Sequence, residues 1–288
     1  MRKLEYIIPE EFDGVNVQTF LRGNVKISLR LLRSLKRVEN GIELNGEHIR
    51  TVDLIHSGDV LTLNIPEEVG AEGTSSIDLE VVYEDEDLLI VNKQPMLPIH
   101  ESHNHQGDTL ANAVSAYLSK KGKSSVFRAI GRLDMGTSGL VVCALNQHCA
   151  GRLSGNIEKE YLAIATGEYE GNGTIDAPIY RPDPLKTTRC VDERGDKAVT
   201  HYESLKKGNG MSLLKVKLET GRTHQIRVHF AHLSTPLVGD YLYGTTTDEI
   251  NHQCLHCHRI KLTHPITGEK IECFGKMPPD MAMIADRI

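Results

Sequence analysis

The sequence has few cysteines and no long hydrophobic run, and both shortages exclude classes of protein. Six cysteines among 288 residues are too sparse and too unevenly placed for a small secreted disulfide scaffold. No stretch approaches the ~18 uninterrupted apolar residues that a membrane-spanning helix needs. The first ten residues mix charge with only short apolar pairs, unlike a signal peptide. We therefore expect a soluble, cytoplasmic protein with reduced thiols and no membrane partner.

An excess of positive charge is also lacking, since the formal net charge is -6. Taken alone, this sum argues against a nucleic-acid partner, because neutralising phosphates requires clustered lysines and arginines. Acidic residues are absent, however, between Asp13 and Glu39. Positions 26, 30, 33 and 37 are spaced to share one side of a helix, along which a phosphate backbone could lie; a solvated helix face would look the same. The candidate RNA-binding cations of this segment are Lys26, Arg30, Arg33, Lys36 and Arg37.

No internal repeat of 20–50 residues is present, which argues against a solenoid or propeller. The length predicts about two domains. A stretch of small, acidic, Gly and Ser residues interrupts the apolar periodicity near 66–76. We therefore predict a small domain over 1–66, a linker over 67–76 and a larger domain over 77–288.

The small domain is predicted to contain two helices followed by a small sheet. Val17, Phe20 and Leu21 indicate a short helix, and a second helix follows Ser28 and ends at Asn40-Gly41. Alternating runs at 42–46 and 59–65 indicate strands. The stretch from Ile27 through G-I-E-L-N-G to S-G-D-V-L-T-L resembles an RNA-binding module named after a ribosomal small-subunit protein, over about residues 13–65.

The larger domain is predicted to belong to the α+β class, with strands dominant and helices interspersed. Residues 79–93 indicate two strands joined by an acidic turn, and 110–118 a helix capped by Asp108 or Thr109. Further alternating stretches lie at 139–145, 160–167 and 211–219.

Three motifs in this domain carry candidate chemistry. G-R-L-D-M-G-T-S-G-L places Asp134 on a loop that leads into an apolar strand; such an Asp can serve a cleft or merely form a turn. K-E-Y-L-A-I places Tyr161 in a buried-looking strand, where it could simply be core. T-G-R-T-H-Q-I-R-V-H carries Arg227 and fits either a helix capped by Thr223 or a strand.

In this order and spacing, the three motifs resemble the signatures of the RluA-type family of pseudouridine synthases over about residues 77–284. The resemblance implies a mixed, mainly antiparallel sheet with flanking helices. It also implies an enzyme that breaks the glycosidic bond of a uridine in RNA, rotates the base and joins carbon 5 of uracil to the ribose. No metal or organic cofactor is implied.

The resemblance also implies roles for four residues. Asp134 matches the nucleophile, attacking carbon 6 of uracil or the anomeric carbon of ribose, and Arg227 matches its basic partner. Tyr161 matches the aromatic residue that stacks on the target base. Arg132 matches the arginine that occupies the space left by the flipped nucleotide. Ribosomal RNA is the preferred substrate, transfer RNA stays possible, and a monomer is expected.

The sequence departs from the family pattern at Gly131, where histidine is usual, and alternatives to the main interpretation exist. Cys254-x-x-Cys257 with nearby histidines offers zinc ligands, but a second C-x-x-C at related spacing is absent, so we predict no metal site. A non-catalytic RNA-binding or ribosome-assembly factor is the alternative function. The intact set of Asp134, Tyr161 and Arg227 argues against it.

Overall fold

The computed structural model describes residues 2–66, 68, 70, 75–123, 126–244 and 246–288. Most of the predicted linker, residues 67, 69 and 71–74, lies outside the described residues. The placement of the domain boundary therefore stays a prediction.

Residues 2–65 form a four-stranded antiparallel sheet, in the order β1-β4-β2-β3, packed against two short helices. Apolar side chains from the helices and the sheet, among them Phe20, Leu31 and Leu63, form one buried cluster. The predicted order of two helices followed by strands is present, with an additional strand at the start. The elements are β1 (Arg2–Ile7), α1 (Val17–Gly23), α2 (Leu29–Leu35), β2 (Ile42–Leu44), β3 (Glu47–His48) and β4 (Val60–Ile65).

Helix α2 is shorter than the spacing of the cations predicts. Ser28 caps it as expected, since its hydroxyl accepts the Leu31 N–H at 3.1 Å. Lys26 precedes the helix with a left-handed φ of 58°, which a right-handed helix excludes. Arg37 follows its end, where the Arg37 N–H donates to the Ser34 carbonyl in a tighter turn. The prediction of one helical face running from 26 to 37 is therefore wrong at both ends.

The other described residues form the larger part of the molecule, and its mixed, mainly antiparallel sheet with flanking helices confirms the predicted α+β class. Among the described residues, no helix is long and apolar enough to cross a bilayer. Its elements are β5 (Glu80–Glu84), β6 (Leu88–Lys93), α3 (Leu110–Lys120), β7 (Ala129–Ile130), β8 (Ser138–Ala144), α4 (Gln147–Leu153), β9 (Ile157–Thr166), β10 (Asn172–Asp176), β11 (Ile179–Tyr180), β12 (Cys190–Val191), β13 (Val199–Gly208), β14 (Met211–Leu218), α5 (Gln225–His232), β15 (Leu255–Thr263), β16 (Lys270–Phe274) and α6 (Pro279–Asp286).

Ten strands of the described chain make one sheet, whose main path is β10-β13-β14-β9-β15-β8-β6-β5. The central pair β8 and β15 is parallel and the other pairs are antiparallel. Because β8 begins directly after the loop of Asp134, and Tyr161 pairs with Cys257 of β15, the middle of the sheet positions two motif residues close together.

The third motif, T-G-R-T-H-Q-I-R-V-H, was compatible with either a helix or a strand, and the structure has a helix there, α5. Residues Gln225–His232 are helical, so the strand interpretation is wrong. The cap position belongs to His224, not Thr223, and His224 makes no side-chain capping bond. Thr223 is engaged elsewhere, since its hydroxyl accepts from Arg132 Nη2 at 3.4 Å.

Polar contacts join the front sheet to the larger part. Arg2 donates to both carboxylate oxygens of the buried Asp87, at 3.0 and 2.9 Å. Arg152 of α4 donates to the Val25 carbonyl at 3.0 Å. A cleft of about 930 Å³ lies between the two parts and has Lys26 and Arg152 in its lining.

Candidate active site

Asp134 lies on the tight loop between β7 and β8. The Thr137 N–H donates to the Asp134 carbonyl at 3.0 Å, which closes the turn. Gly131 opens the loop with a φ of 77°, a left-handed conformation that glycine adopts without strain. A Cβ at this position would stand 3.0 Å from the Lys159 ammonium. The backbone conformation of this chain at position 131 therefore suits glycine.

The Thr-Ser-Gly part of the motif anchors the loop to the strand that runs beside it. Gln253 donates to the Thr137 hydroxyl at 2.9 Å, and the Ser138 hydroxyl lies 2.9 Å from His256 Nδ1. Both hydroxyl-bearing residues are buried, so these bonds are shielded from water. Segment 253–256 thus holds the loop at two neighbouring residues, and the Asp134 side chain stays about a quarter exposed toward a pocket.

Lys93 also holds the Asp134 loop, although the sequence analysis assigned it no role. Its ammonium group is buried and donates to three backbone carbonyls, those of Gln94, Leu97 and Met135, at 2.9–3.0 Å. Burial lowers the pKa of Lys93 to about 7, and the nearby charge of Asp134 opposes that shift. Because Met135 follows Asp134 directly, Lys93 restrains the backbone of the candidate nucleophile.

Arg227 is buried in α5 between two carboxylates. Its Nη1 lies 3.3 Å from Asp134 Oδ2. The opposite edge of the guanidinium, Nε and Nη2, donates to both oxygens of Asp240 at 2.7 Å. Burial by itself would lower the pKa of Arg227, but the bonds to Asp240 and the charges of Asp240 and Asp134 raise it above its ordinary value. The side chain is therefore a fixed cation next to Asp134.

Tyr161 lies with Asp134 and Arg227 around one small pocket of about 100 Å³. Burial, followed by the charges of Cys257 and Asp134, raises the pKa of Tyr161 well above its ordinary value, so its phenol stays protonated at neutral pH. Arg132 lines the same pocket from its exposed rim. The structure thus brings together the four motif residues that sequence reasoning selected in the larger domain.

His224 is a further member of the pocket that sequence reasoning missed. Its φ of 58° is left-handed, a strained backbone for histidine that is typical of functional sites. Its Nδ1 lies 2.8 Å from the Tyr243 hydroxyl, which already accepts the Arg189 N–H at 2.8 Å. This pattern favours the tautomer with its proton on Nε2, and Nε2 stands 3.9 Å from Asp134 Oδ1. Burial lowers the pKa of His224 and favours its neutral form.

The five predicted RNA-binding cations of the front segment do not line this pocket. All of them are exposed, and within the described part of the chain none has a carboxylate partner. They form a separate candidate surface around α2. These cations are Lys26, Arg30, Arg33, Lys36 and Arg37.

The cysteines of the C-x-x-C segment pack into different hydrophobic clusters, Cys254 in one and Cys257 in another. Where the chain is described, the group with the spacing of metal ligands is instead Asp85, Asp87 and His264. Its carboxylates accept hydrogen bonds within the protein, since Asn146 and Arg2 donate to Asp87 and the Tyr83 hydroxyl donates to Asp85. His264 Nε2 stands 3.1 Å from Asp85 Oδ2. Backbone N–H groups of residues 266 and 267 donate to His264 Nδ1. These contacts describe a hydrogen-bonded junction between elements.

Comparison with known proteins assigns the chain to a family. The family model described as RNA pseudouridylate synthase matches residues 87–232, a range that includes Asp134, Tyr161 and Arg227. The uncharacterized RNA pseudouridine synthase YjbO of Bacillus subtilis (strain 168) is 35% identical over 270 residues, 91% of this chain and 95% of the relative. The ribosomal large subunit pseudouridine synthase D of Escherichia coli (strain K12) is 35% identical over 250 residues, 80% of this chain and 76% of the relative.

Solved structures agree with these relatives. The structure named human RNA pseudouridylate synthase domain containing 1 is 29% identical, with a TM-score of 0.59, and covers 72% of this chain and 86% of that chain. The chain and this solved structure thus share a fold. The chain belongs to the RNA pseudouridylate synthase family, and it is an isomerase that acts on RNA.

Proposed function

We propose that this isomerase converts a uridine of large-subunit ribosomal RNA to pseudouridine, with Asp134 as its nucleophile. One observation carries the assignment: the Asp134 carboxylate stands 3.3 Å from a buried arginine in a pocket that Tyr161 also lines. An adjacent guanidinium orients a carboxylate for nucleophilic attack. Transfer RNA is the alternative substrate.

The proposed reaction starts when the target uridine leaves its stack and enters the pocket. Arg132, exposed at the rim, fills the space that the uridine leaves, because a planar cation stacks on bases and contacts phosphates. Unstacking costs least in loops and single strands. A uridine in a structured RNA loop is therefore the proposed target.

Inside the pocket, Asp134 attacks carbon 6 of uracil or the anomeric carbon of ribose. The bond from ribose to N1 breaks, the base rotates, and a bond from ribose to carbon 5 forms. The bond to Asp134 breaks again and frees the carboxylate, carbon 5 loses its proton, and N1 gains one. Tyr161 packs against the base, and its protonated phenol is a hydrogen-bond donor there. Arg227 orients Asp134 throughout, from a distance of 3.3 Å.

The front residues supply additional RNA affinity in this proposal. Support comes from the absence of acidic residues between Asp13 and Glu39 and from the exposure of all five cations around α2. Cations without carboxylate partners are free to neutralise phosphates. The ribosomal preference is supported by the name of the relative from Escherichia coli. Monomeric state and cytoplasmic location are kept as expectations of the sequence.

Asp134→Asn tests the assignment directly. Formation of the bond to carbon 5 displaces its hydrogen, so activity is measured as tritium released from RNA that contains 5-tritiated uridine. The variant keeps the side-chain volume but loses the nucleophilic charge, and we expect release to fall to background while RNA affinity stays within about twofold. Asp286→Asn, at an exposed aspartate of the last helix, is the matched control. Turnover retained by Asp134→Asn would refute the assignment.

The substrate is identified by mapping pseudouridines across the transcriptome of a deletion strain and its parent. We expect one or more missing sites in large-subunit ribosomal RNA. Missing sites confined to transfer RNA would replace the proposed substrate. No missing site, together with intact RNA binding, would favour the non-catalytic factor.

A further inference from the structure

A second groove, of about 440 Å³, opens beside the catalytic pocket. It is lined by the hairpin β11–β12 and by the segment that leads into α5, and it shares Gly221 and Arg222 with the catalytic pocket. Arg189 in its wall donates its backbone N–H to the Tyr243 hydroxyl, and Tyr243 in turn contacts His224. A ligand in this groove would therefore lie next to the proposed uridine site.

The lining of the groove is rich in arginine. Four arginines contribute to it, Arg181, Arg189, Arg194 and Arg222, against one carboxylate, Asp196. Two of the four are paired inside the protein. Arg222 lies 3.2 Å from Asp196, and Arg194 lies 2.7 Å from Asp192 while covering the ring of Tyr180 at 4.5 Å.

Arg181 and Arg189 differ from those two because only backbone carbonyls hold them. Arg181 Nε donates to the Lys186 carbonyl at 3.0 Å. Arg189 Nη1 donates to the carbonyls of residues 187 and 188, at 2.6 and 3.0 Å. Among the residues that the structure describes, neither guanidinium has a carboxylate partner. Each keeps its full charge and several unused N–H donors.

Two fixed guanidinium groups without counter-charges are suited to an anion with several acceptor oxygens. The backbone carbonyls orient them in advance, so little side-chain entropy is lost on binding. A phosphodiester accepts such donors in a bidentate manner. The nucleotides on either side of a flipped uridine stay covalently attached to it, so their phosphates must pass close to the mouth of the pocket.

We propose that this groove binds the phosphodiester backbone of the substrate RNA beside the flipped uridine, with Arg181 and Arg189 as its phosphate contacts. The proposal rests on the RNA isomerisation proposed above and adds a site for the strand that carries the target. An acidic protein segment as the occupant is the competing outcome.

The first test compares Arg181→Ala and Arg189→Ala with Arg287→Ala, an exposed arginine paired with Glu249. Tritium release is measured from bulk 5-tritiated-uridine RNA of cells that lack the enzyme, over a series of salt concentrations. We expect KM to rise about tenfold for each groove variant, with kcat changed much less. The slope of log(kcat/KM) against log salt should become shallower by about 0.7 for each lost contact to a single strand. Arg287→Ala should match the wild type in all three quantities.

The second test uses an RNA oligonucleotide around the mapped site with single neutral methylphosphonates. A methylphosphonate at one or two positions that flank the target uridine should lower the RNA affinity of the wild-type enzyme. A methylphosphonate at the phosphate that Arg181 or Arg189 contacts should not lower the affinity of the variant that lacks that arginine. Equal methylphosphonate penalties in wild type and variants, or groove variants that behave like Arg287→Ala, would overturn the groove proposal. Both results presuppose wild-type turnover, and its absence would instead reject the proposed function.

Discussion

Asp240 supports Arg227 from the edge of the guanidinium opposite Asp134, although the sequence motifs assigned it no role. It is fully buried and holds one edge of the Arg227 guanidinium with two bonds of 2.7 Å. Backbone N–H groups of residues 242 and 243 donate to the same carboxylate. A buried guanidinium with a free edge would be costly and could rotate. Asp240 therefore fixes which N–H of Arg227 faces Asp134.

We expect Asp240→Asn to impair both folding and catalysis. The amide leaves Arg227 with one carbonyl oxygen and a repelling NH₂ group. Breaking a buried ion pair costs about 3–5 kcal/mol of unfolding free energy, and misplacement of the guanidinium should lower kcat about 100-fold. Urea unfolding and tritium release measure the two effects. Asp240→Asn with wild-type kcat would show that Arg227 does not need this carboxylate for its orientation.

At the level of elements, the parallel contact of β8 and β15 brings the motif loops together. Gly139 pairs with Cys257 there, and its φ of 110° is open to glycine alone among common residues. A Cβ would stand 2.4 Å from the Cys257 carbonyl oxygen. The glycine of the Thr-Ser-Gly motif is thus required by a close approach of two strands.

Gly139→Ala should destabilise the protein by at least about 2 kcal/mol, because it combines backbone strain with overpacking. The matched control is Gly151→Ala in α4, where an added Cβ meets no atom within 4 Å. That control should stabilise the protein by about 0.5–1 kcal/mol through helix propensity. Thermal unfolding of the two variants checks the pair. Equal changes in stability at the two positions would show that the close approach of β8 and β15 does not require glycine at position 139.

On the scale of the whole molecule, charge is distributed unevenly. The net charge is -6, yet the pocket around Asp134 is lined by three arginines against one aspartate, and the segment around α2 adds five exposed cations. An RNA enzyme needs positive charge only on the faces that meet phosphate. The whole-chain sum is therefore a poor guide to the partner.

Acid sensitivity is also a property of the whole fold, because burial lowers the pKa of both His148 and His256 to about 4. Between about pH 6.5 and pH 4 the unfolded chain binds more protons at these residues than the folded chain. Unfolding free energy should therefore fall as the pH drops through that window, by up to about 3 kcal/mol for each histidine.

His148→Phe tests this pH dependence, because both ring nitrogens of His148 are buried without a hydrogen-bond partner in the described part of the chain. The variant should retain more of its stability at pH 4.5 than the wild type, measured by thermal unfolding at pH 4.5 and pH 7.5. The exposed His232, replaced by phenylalanine, should leave the slope unchanged. An unaltered slope in His148→Phe would exclude the buried ring as a source of acid sensitivity.

The sequence by itself determined the elements with strong local signals and the identity of the family. Apolar periodicity and turn residues predicted α1, α3 and strands such as β8, β9 and β14, since these patterns act over a few neighbouring residues. Of the two predicted caps of α3, Asp108 and Thr109, the structure has Thr109. The motifs selected Asp134, Tyr161 and Arg227, which line one pocket, and their catalytic roles stay predictions. Only tertiary structure ended α2 at Leu35 and made residues 225–232 a helix.

Tertiary structure alone also decided the surroundings of the motif residues. Lys93 reaches Met135 across 42 positions, and Arg189 reaches Tyr243 across 54. Such contacts depend on which strands pair and where the chain returns, and no local pattern encodes that. The arginine groove has the same origin, because two segments distant in the sequence form it. The residues that could carry the chemistry were therefore readable from the sequence, whereas the partners that orient them became visible only in the fold.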